Sequence, residues 1–256
     1  YSDDLDIFSP DNSSDGNLKK KWKIINNTRY LIKGGNSFNN QEPFNEIIAT
    51  KLYKRILKNE DYVPYELIQE NGMYYSACPT MVNTNEELVS AYYIDRIIKQ
   101  RGNDSLYIHF LEACNSLNIP NAKLQIDKMI VCDYIIANYD RHYRNFGAIR
   151  NVDTLEWIGI APIFDSGSCL WATQPTTAIG SIYKSKPFKP YPDEQLELVD
   201  DLSWLDASKL EGFEKEVEEI LKINPLMDET RIQEIVQQIN LRIGKVIDRK
   251  KQLEKC

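Results

Sequence analysis

Only two histidines, His109 and His142, occur among the 256 residues. Ser-His or Cys-His nucleophilic catalysis and histidine-rich metal sites therefore have little to be built from. The five cysteines, Cys78, Cys114, Cys132, Cys169 and Cys256, are odd in number and show no C-x-x-C spacing. They suggest neither a disulfide framework nor a zinc site and read as buried thiols in a reducing compartment. No apolar run approaches the ~20 residues that span a bilayer, and the opening Tyr1-Ser2-Asp3-Asp4 is acidic where a secretory signal is basic and then apolar. The expectation is a cytoplasmic protein without a membrane partner. Positive charge is also short: the net charge is −7, which argues against a broad phosphate-backbone surface, so direct nucleic-acid binding is not expected. Lys19-Lys20-Lys21 is a local basic patch within that acidic whole. Carboxylates and lysines are left to carry any chemistry.

What is present is 42% hydrophobic and 27% charged, a soluble globular composition with room for one large domain or two lobes. Residues 9–17 are nearly all turn formers and feed a strand pair, Trp22 to Asn26 and Thr28 to Lys33. Pro43 to Lys58 carries Phe44, Ile48, Leu52 and Ile56 at helical spacing, with Pro in the first turn. Tyr62 to Gln69 and Met73 to Cys78 read as two more strands around Asn71-Gly72. Past Pro79 the pattern turns to helices: one from the capping-box signature Thr84-x-x-Glu87 to near Gly102, a second over Ser105 to Leu117, and a buried third from Ala122 to Asn138. Phe146 to Arg150 and Leu155 to Ala161 suit a hairpin, and Glu211 to Ile223 and Asp228 to Leu253 are helical. Ala172 to Pro192, with four prolines, is an irregular loop long enough to be functional. The expected architecture is α+β, with a small β-rich N-lobe over residues 1–77 and a larger helical C-lobe over residues 78–256.

Asp140-Arg-His-Tyr-Arg-Asn145 places a carboxylate and a carboxamide five residues apart just after a helix, and Asp165-Ser-Gly follows a hairpin twenty residues on. Phosphoryl transfer needs those parts: a carboxylate to orient the attacking hydroxyl and accept its proton, and an amide oxygen and a second carboxylate to bind magnesium. Asp-x4-Asn is the spacing of a kinase catalytic loop, and a metal-binding Asp-x-Gly belongs after the following hairpin. Either half alone is weak, because Asp and Asn are ordinary turn residues; the ordered pair is what points to transfer chemistry. In the first lobe Tyr30-Leu31-Ile32-Lys33 ends an apolar strand in a lysine suited to nucleotide phosphates, with Glu46 as its partner on the next helix. The bland alternative is a solvated lysine beside an unrelated surface carboxylate. Ser13-Ser14-Asp15-Gly16 precedes that hairpin and suits a nest of backbone N–H groups over phosphates, or a plain polar turn.

These blocks, from Asn12-Ser13-Ser14-Asp15-Gly16 through Tyr30-Leu31-Ile32-Lys33 and Asn45-Glu46 to Asn138-Tyr139-Asp140-Arg141-His142-Tyr143-Arg144-Asn145-Phe146-Gly147 and Pro162-Ile163-Phe164-Asp165-Ser166-Gly167, resemble the successive motifs of HipA-like serine/threonine kinases. The resemblance covers nearly the whole chain and is most specific in the last two blocks. It implies a bilobal fold related to the phosphoinositide kinases, ATP and magnesium between the lobes, and γ-phosphate transfer to a protein serine or threonine. It implies Asp140 as catalytic base, Asn145 and Asp165 as metal ligands, and Ser13, Ser14, Asp15, Gly16, Lys33 and Glu46 around ATP. Ala77-Cys78-Pro79 would be the hinge beside adenine, and Ser13 and Ser14 the candidates for autophosphorylation that ejects the front loop. An antitoxin partner is implied as well, although full-length toxins of this type carry an extra N-terminal subdomain before the front loop. The G-x-G-x-x-G loop, the His-Arg before the catalytic Asp, Asp-Phe-Gly and Ala-Pro-Glu of ordinary protein kinases are missing.

Around this array, His142 suits a structural role beside Asp140, and Arg141 and Arg144 either steady phosphate charge or are simply solvated or ion-paired. The four tryptophans read as packing residues, with Trp171 near the cleft. Lys184, Lys186 and Lys189 put positive charge on the long loop, either to dock an acidic substrate or as an ordinary solvated surface. A small-molecule phosphotransferase on the same scaffold, or a non-catalytic nucleotide-binding pseudokinase, are the competing readings.

Overall fold

The computed structural model describes residues 20–36, 38–100, 102 and 105–255. Ser13, Ser14, Asp15 and Gly16 lie outside the described residues. The described residues open with an antiparallel pair, β1 (Lys20–Ile25) and β2 (Thr28–Lys33). Asn26 and Asn27 between them have φ of 49° and 61°. That two-residue left-handed turn matches the twist of the strands it joins, and Asn adopts it more readily than most side chains do. Asn71-Gly72, with φ of 51° and 78°, makes the same turn between β3 (Glu66–Glu70) and β4 (Met73–Pro79). The four strands form one sheet in the order β1-β2-β4-β3.

Register decides what this sheet offers to the rest of the molecule. Lys33 pairs with Ser76 and Leu31 with Cys78, so these four side chains share one face. Ile32 and Ala77 pair on the other. Between β2 and β3 runs α1 (Glu42–Ile56), which buries Phe44, Ile48, Leu52, Tyr53 and Ile56, each such side chain contributing roughly 1.5–3 kcal/mol.

Beyond β4 the expectation of a helix opening at Thr84 fails. Glu86–Ser90 is a strand, β5, followed only by the four-residue α2 (Ala91–Ile94). Glu87, the expected capping carboxylate, instead accepts from Arg150 Nε at 2.9 Å, while Glu86 closes the preceding turn, accepting the Asn83 N–H at 2.8 Å and the Asn83 side-chain amide at 2.9 Å. Pairing with a distant strand, β6 (Gly147–Asn151), then overrides the local helical signature. β7 (Trp157–Ile160) completes a second sheet in the order β5-β6-β7. Gly147 is what lets the strands meet here, because a Cβ on it would stand 2.2 Å from the Val89 carbonyl oxygen.

The remaining elements are helical: α3 (Leu106–Ser116), α4 (Ala122–Ile135), α5 (Pro192–Glu197), α6 (Phe213–Lys222) and α7 (Glu229–Leu253). α4 is buried on nearly every side, from Ile126 through Ile135, and is the axis around which the helical part packs. The expected hairpin and the four expected helices over 105–117, 122–138, 211–223 and 228–253 are present within a few residues at each end. Residues 172–191 hold only one short 3₁₀ turn, Thr176–Ala178. Among the described residues no helix is long and apolar enough to cross a membrane.

Two links fix the first sheet and α1 against the helical part. Val63 N–H donates to the Ile163 carbonyl at 2.9 Å and Ile163 N–H to the Asp61 carbonyl at 2.8 Å, which sets the chain two residues before Asp165. Lys128 on α4 meets Asp61 at 2.7 Å, with both side chains almost fully buried.

Candidate active site

Strand β2 delivers Lys33 into the space between the first sheet and the helical part, where it is 6% exposed. Its ammonium donates to Glu46 Oε1 at 3.1 Å, to the Tyr65 hydroxyl at 3.1 Å and to Asp165 Oδ1 at 2.7 Å. Glu46 lies one turn into α1, and its second oxygen accepts the Ser166 N–H at 3.0 Å. The solvated-lysine alternative is thereby excluded: strand, helix and the Asp165 loop meet at one buried cation. Burial alone would lower the lysine's pKa, but the carboxylates of Asp165 and Glu46 outweigh it and hold the value well above the ordinary one. Burial also works against the Asp165 carboxylate, yet the Lys33 ammonium brings its pKa down to about 2. Glu46 is shifted the other way, since its burial outweighs the pull of Lys33.

Asp165 has φ of 58°, in the left-handed region, which turns the chain sharply between Phe164 and Ser166. The segment beyond it is gripped by side-chain amides. Asn45 donates to the carbonyls of Gly167 and Cys169 at 2.8 and 2.7 Å, and Gln41 to that of Leu170 at 2.8 Å. Arg231 of α7 completes the grip on the carbonyls of Trp171 and Gln174 at 2.6 and 2.9 Å.

The loop after α4 carries Asp140 and Asn145. Asn145 donates its side-chain amide to the Asp140 carbonyl at 3.1 Å. Among the described residues that leaves its amide oxygen uncommitted, on a residue lining the same cleft as Asp165. Asp140 keeps 36% side-chain exposure and pairs through Oδ1 with Lys186 at 2.9 Å. His142 lines the cleft, and its Nδ1 accepts the Arg144 N–H at 3.2 Å. Arg141 takes the ion-paired of its two readings: it is fully buried against Asp133. Arg144 stacks over the Tyr92 ring at 4.8 Å.

Two adjoining cavities result. A polar cleft of about 290 Å³ is lined by Lys20, Lys33, Glu46, Asp140, Asn145 and Asp165 among others. An apolar pocket of about 310 Å³ is walled by Trp22, Leu31, Val63, Cys78, Met81 and Phe164. Lys33 and Asp165 belong to both. Of the three expected hinge residues, Cys78 and Pro79 line the apolar pocket, the Cys78 thiol pushed up to about 11 by burial, whereas Ala77 lies on the opposite face of β4. The chain past it, Pro79 to Val82, forms the pocket rim.

Some contributors escaped the sequence reading. Tyr65 has no local signal at all. Asp133 had one: it is the lone carboxylate in the apolar run from Met129 to Ile136. Ser76 lines the polar cleft from a fully buried position with a hydroxyl that has no partner among the described residues. Trp22, read as packing, borders the apolar pocket, and Trp171, read as near the cleft, is buried against Tyr183 and Arg242.

The donor set suits magnesium on a nucleotide. Among the described residues no group of three or more His, Cys, Asp or Glu side chains converges on a metal cage. A magnesium ion on phosphates needs none, because one or two protein oxygens plus phosphate oxygens and water fill its octahedron. The Asp165 carboxylate and the uncommitted Asn145 amide oxygen are hard ligands of that kind, facing one cleft.

A sheet carrying a buried Lys–Glu pair, set over a helical part that supplies an Asp-x4-Asn loop and an Asp-Ser-Gly loop, is a bilobal protein-kinase-like fold. Among solved structures the chain is similar to the proinflammatory kinase CtkA of Helicobacter pylori, with a TM-score of 0.68 and 19% identity over 92% of this chain and 94% of that one. It is also similar to HipA in the toxin–antitoxin complex of HipA, HipB and operator DNA from Shewanella oneidensis, with a TM-score of 0.52 and 11% identity over 95% of this chain and 67% of that one. In sequence, 43 residues are 49% identical to the serine/threonine-protein kinase CtkA of H. pylori strain J99. That match takes in 17% of this chain and 13% of the relative's length. No family model matches the chain. The likeness to HipA-like kinases read from the motifs thus extends to the whole fold.

Proposed function

We propose that this chain is an ATP-dependent serine/threonine protein kinase of the HipA-like type, transferring the γ-phosphate of ATP to a protein hydroxyl and to its own front loop. The observation that carries the reading is the junction of the two cavities at Lys33 and Asp165. A purine fits the apolar pocket, whose walls are aliphatic and aromatic with backbone at the rim. Phosphates then extend past Lys33 into the polar cleft, where Asp140 and Asn145 stand. Similarity to CtkA and HipA supports the same reading.

In this proposal Lys33 contacts the phosphates and is held in place by Glu46, while Asp140 orients the acceptor hydroxyl and takes its proton. Asn145 and Asp165 hold magnesium, which when bound supplies charge neutralisation on the phosphates. Attack of the hydroxyl oxygen on the γ-phosphorus breaks its bond to the bridging oxygen, and ADP leaves with that electron pair. The network behind Asn45, Gln41 and Arg231 keeps the Asp165 segment aligned, so little reorganisation is needed as charge moves. HipA occurs with HipB in the structure that this chain resembles. An antitoxin protein is therefore proposed as a partner here, with this chain as the toxin.

The test is incubation of the purified chain with magnesium and γ-labelled ATP, wild type beside Asp140→Ala and Asp165→Ala, with phosphosites read by mass spectrometry. Label on serine or threonine that Asp140→Ala loses supports the reading. ADP release into a metabolite with no labelled protein would move the assignment to a small-molecule phosphotransferase. ATP binding without turnover would make the chain a pseudokinase.

A further inference from the structure

The base assigned above does not stand alone. Lys186 Nζ lies 2.9 Å from Asp140 Oδ1, across 46 residues of sequence. With side-chain exposures of 53% and 36%, the pair contributes little to stability. Yet the backbone that carries Lys186 is anchored on both flanks. Its carbonyl accepts from the Gln195 side-chain amide, and the oxygen of that same amide accepts the N–H groups of Phe188 at 3.2 Å and Lys189 at 3.1 Å. Phe188 is 4% exposed, its ring set among Tyr107, Phe110, Tyr143 and Phe146. The Ser185 N–H closes the loop on the Pro190 carbonyl at 2.8 Å. The loop is therefore fixed at its core while one long cationic side chain reaches back to the proton acceptor.

We propose that Lys186 is a further catalytic residue, resting on Asp140 before transfer and moving onto the transferred phosphoryl group during it. This rests on the kinase reading. Lys33 is committed to Asp165 and Glu46, so it serves the nucleotide side of the cleft. Lys186 serves the acceptor side. At rest the Asp140 carboxylate holds the ammonium on the acceptor side of the cleft, and in transfer the γ-phosphoryl group passes to the acceptor there. The negative charge then lies on the phosphoryl oxygens, and a four-carbon stem with three rotatable N–H donors can follow it. Lys186 contributes charge and hydrogen bonds only, so the bond and proton changes are those already written for the acceptor, the γ-phosphorus, ADP and Asp140.

The experiment compares wild type, Lys186→Met and Lys186→Arg in phosphate incorporation into the chain and into dephosphorylated casein, beside calorimetric binding of magnesium ATP. Lys186→Met is expected to lower kcat about 10²-fold, as loss of one transition-state charge donor does, with KM for ATP and nucleotide affinity close to wild type. Lys186→Arg keeps the charge and is expected to retain most of the rate. Full activity in Lys186→Met beside an active wild type overturns the role of Lys186 and leaves the kinase reading standing, as does equal damage in both variants, since charge would then not be what matters. A wild type that binds the nucleotide but transfers nothing removes the kinase reading and this inference together.

Discussion

Arg141 holds Asp133 by two parallel hydrogen bonds, Nε to Oδ2 at 2.8 Å and Nη2 to Oδ1 at 3.0 Å, with the guanidinium fully buried. The same side chain donates to the Asn145 carbonyl at 2.9 Å, to the Phe164 carbonyl, and to the Ser166 hydroxyl at 3.0 Å. Ser166 in turn meets the Tyr53 hydroxyl of α1 at 2.7 Å. One residue of the Asp140 loop thereby reaches the start of the Asp165 loop and, through it, the helix that carries Glu46. The relative position of the two acidic loops is set from behind, by a charge that never touches the cleft.

Removing that charge should be expensive. Arg141→Met leaves the Asp133 carboxylate buried without its cation, a change that costs about 3–5 kcal/mol in comparable settings. Urea unfolding should show a midpoint lowered accordingly, and the double variant with Asp133→Asn should recover part of the loss. A single variant within about 1 kcal/mol of wild type would mean that the pair is no more than a surface-grade contact.

The Lys33–Asp165 contact leaves a mark on acid stability. Asp165 titrates at about 2 in the folded chain against an ordinary 3.8, so the unfolded state binds more protons between those values. The stabilisation is therefore present above pH ~4 and lost as pH falls from there through about 2, up to roughly 2 kcal/mol in all. Glu46, raised by burial, acts with the opposite sign and above its unfolded value, and the other depressed carboxylates, Asp193 and Asp201 among them, are common to wild type and variant, so the comparison with Asp165→Asn isolates Asp165. Unfolding free energy measured from pH 4.5 to 2 should fall more steeply for wild type than for Asp165→Asn. Parallel curves would show that the contact is not kept in solution.

The motifs were legible because each is local: Asp140 to Asn145 spans one turn of loop, and Asp165-Ser-Gly another. The two Asn-containing hairpins and the buried α4 were legible for the same reason. What sequence could not carry were contacts set by register and tertiary pairing. Glu86–Ser90 has the letters of a helix start and becomes a strand only because Gly147 admits Val89 alongside it. Which of Ala77 and Cys78 faces the pocket depends on the pairing of β4 with Leu31 and Ile32, which no single stretch encodes. Lys186 stood out only as one of three lysines on a proline-rich loop, and its distinction from Lys184 and Lys189 comes from the Gln195 and Phe188 anchors.

Front-loop phosphorylation separates the HipA-like proposal from a generic kinase. If Ser13 or Ser14 is the internal acceptor, Ser13→Ala with Ser14→Ala should abolish self-incorporation while casein labelling persists or rises. The Asp140→Ala variant should lose both. Tryptic mass spectrometry reads the sites directly, and phosphate retained elsewhere on the double-alanine chain would relocate the acceptor.

Nucleotide entry should be closable from Cys78. Its side chain shares a face with Leu31 and Lys33 and lines the apolar pocket, while Ala77, next to it, points into the packing behind the sheet. Cys78→Trp puts a bulky ring on the wall of the apolar pocket beside Leu31 and Phe164, where it competes with a purine for the same surface. Magnesium ATP binding by calorimetry should weaken at least about 30-fold, a loss of roughly 2 kcal/mol. Cys78→Ala, which opens space instead, should leave binding within a few-fold of wild type and cost only modest stability. A tryptophan variant that binds ATP normally would place the purine somewhere other than between Leu31 and Phe164, and the phosphate path past Lys33 would have to be redrawn from that new end.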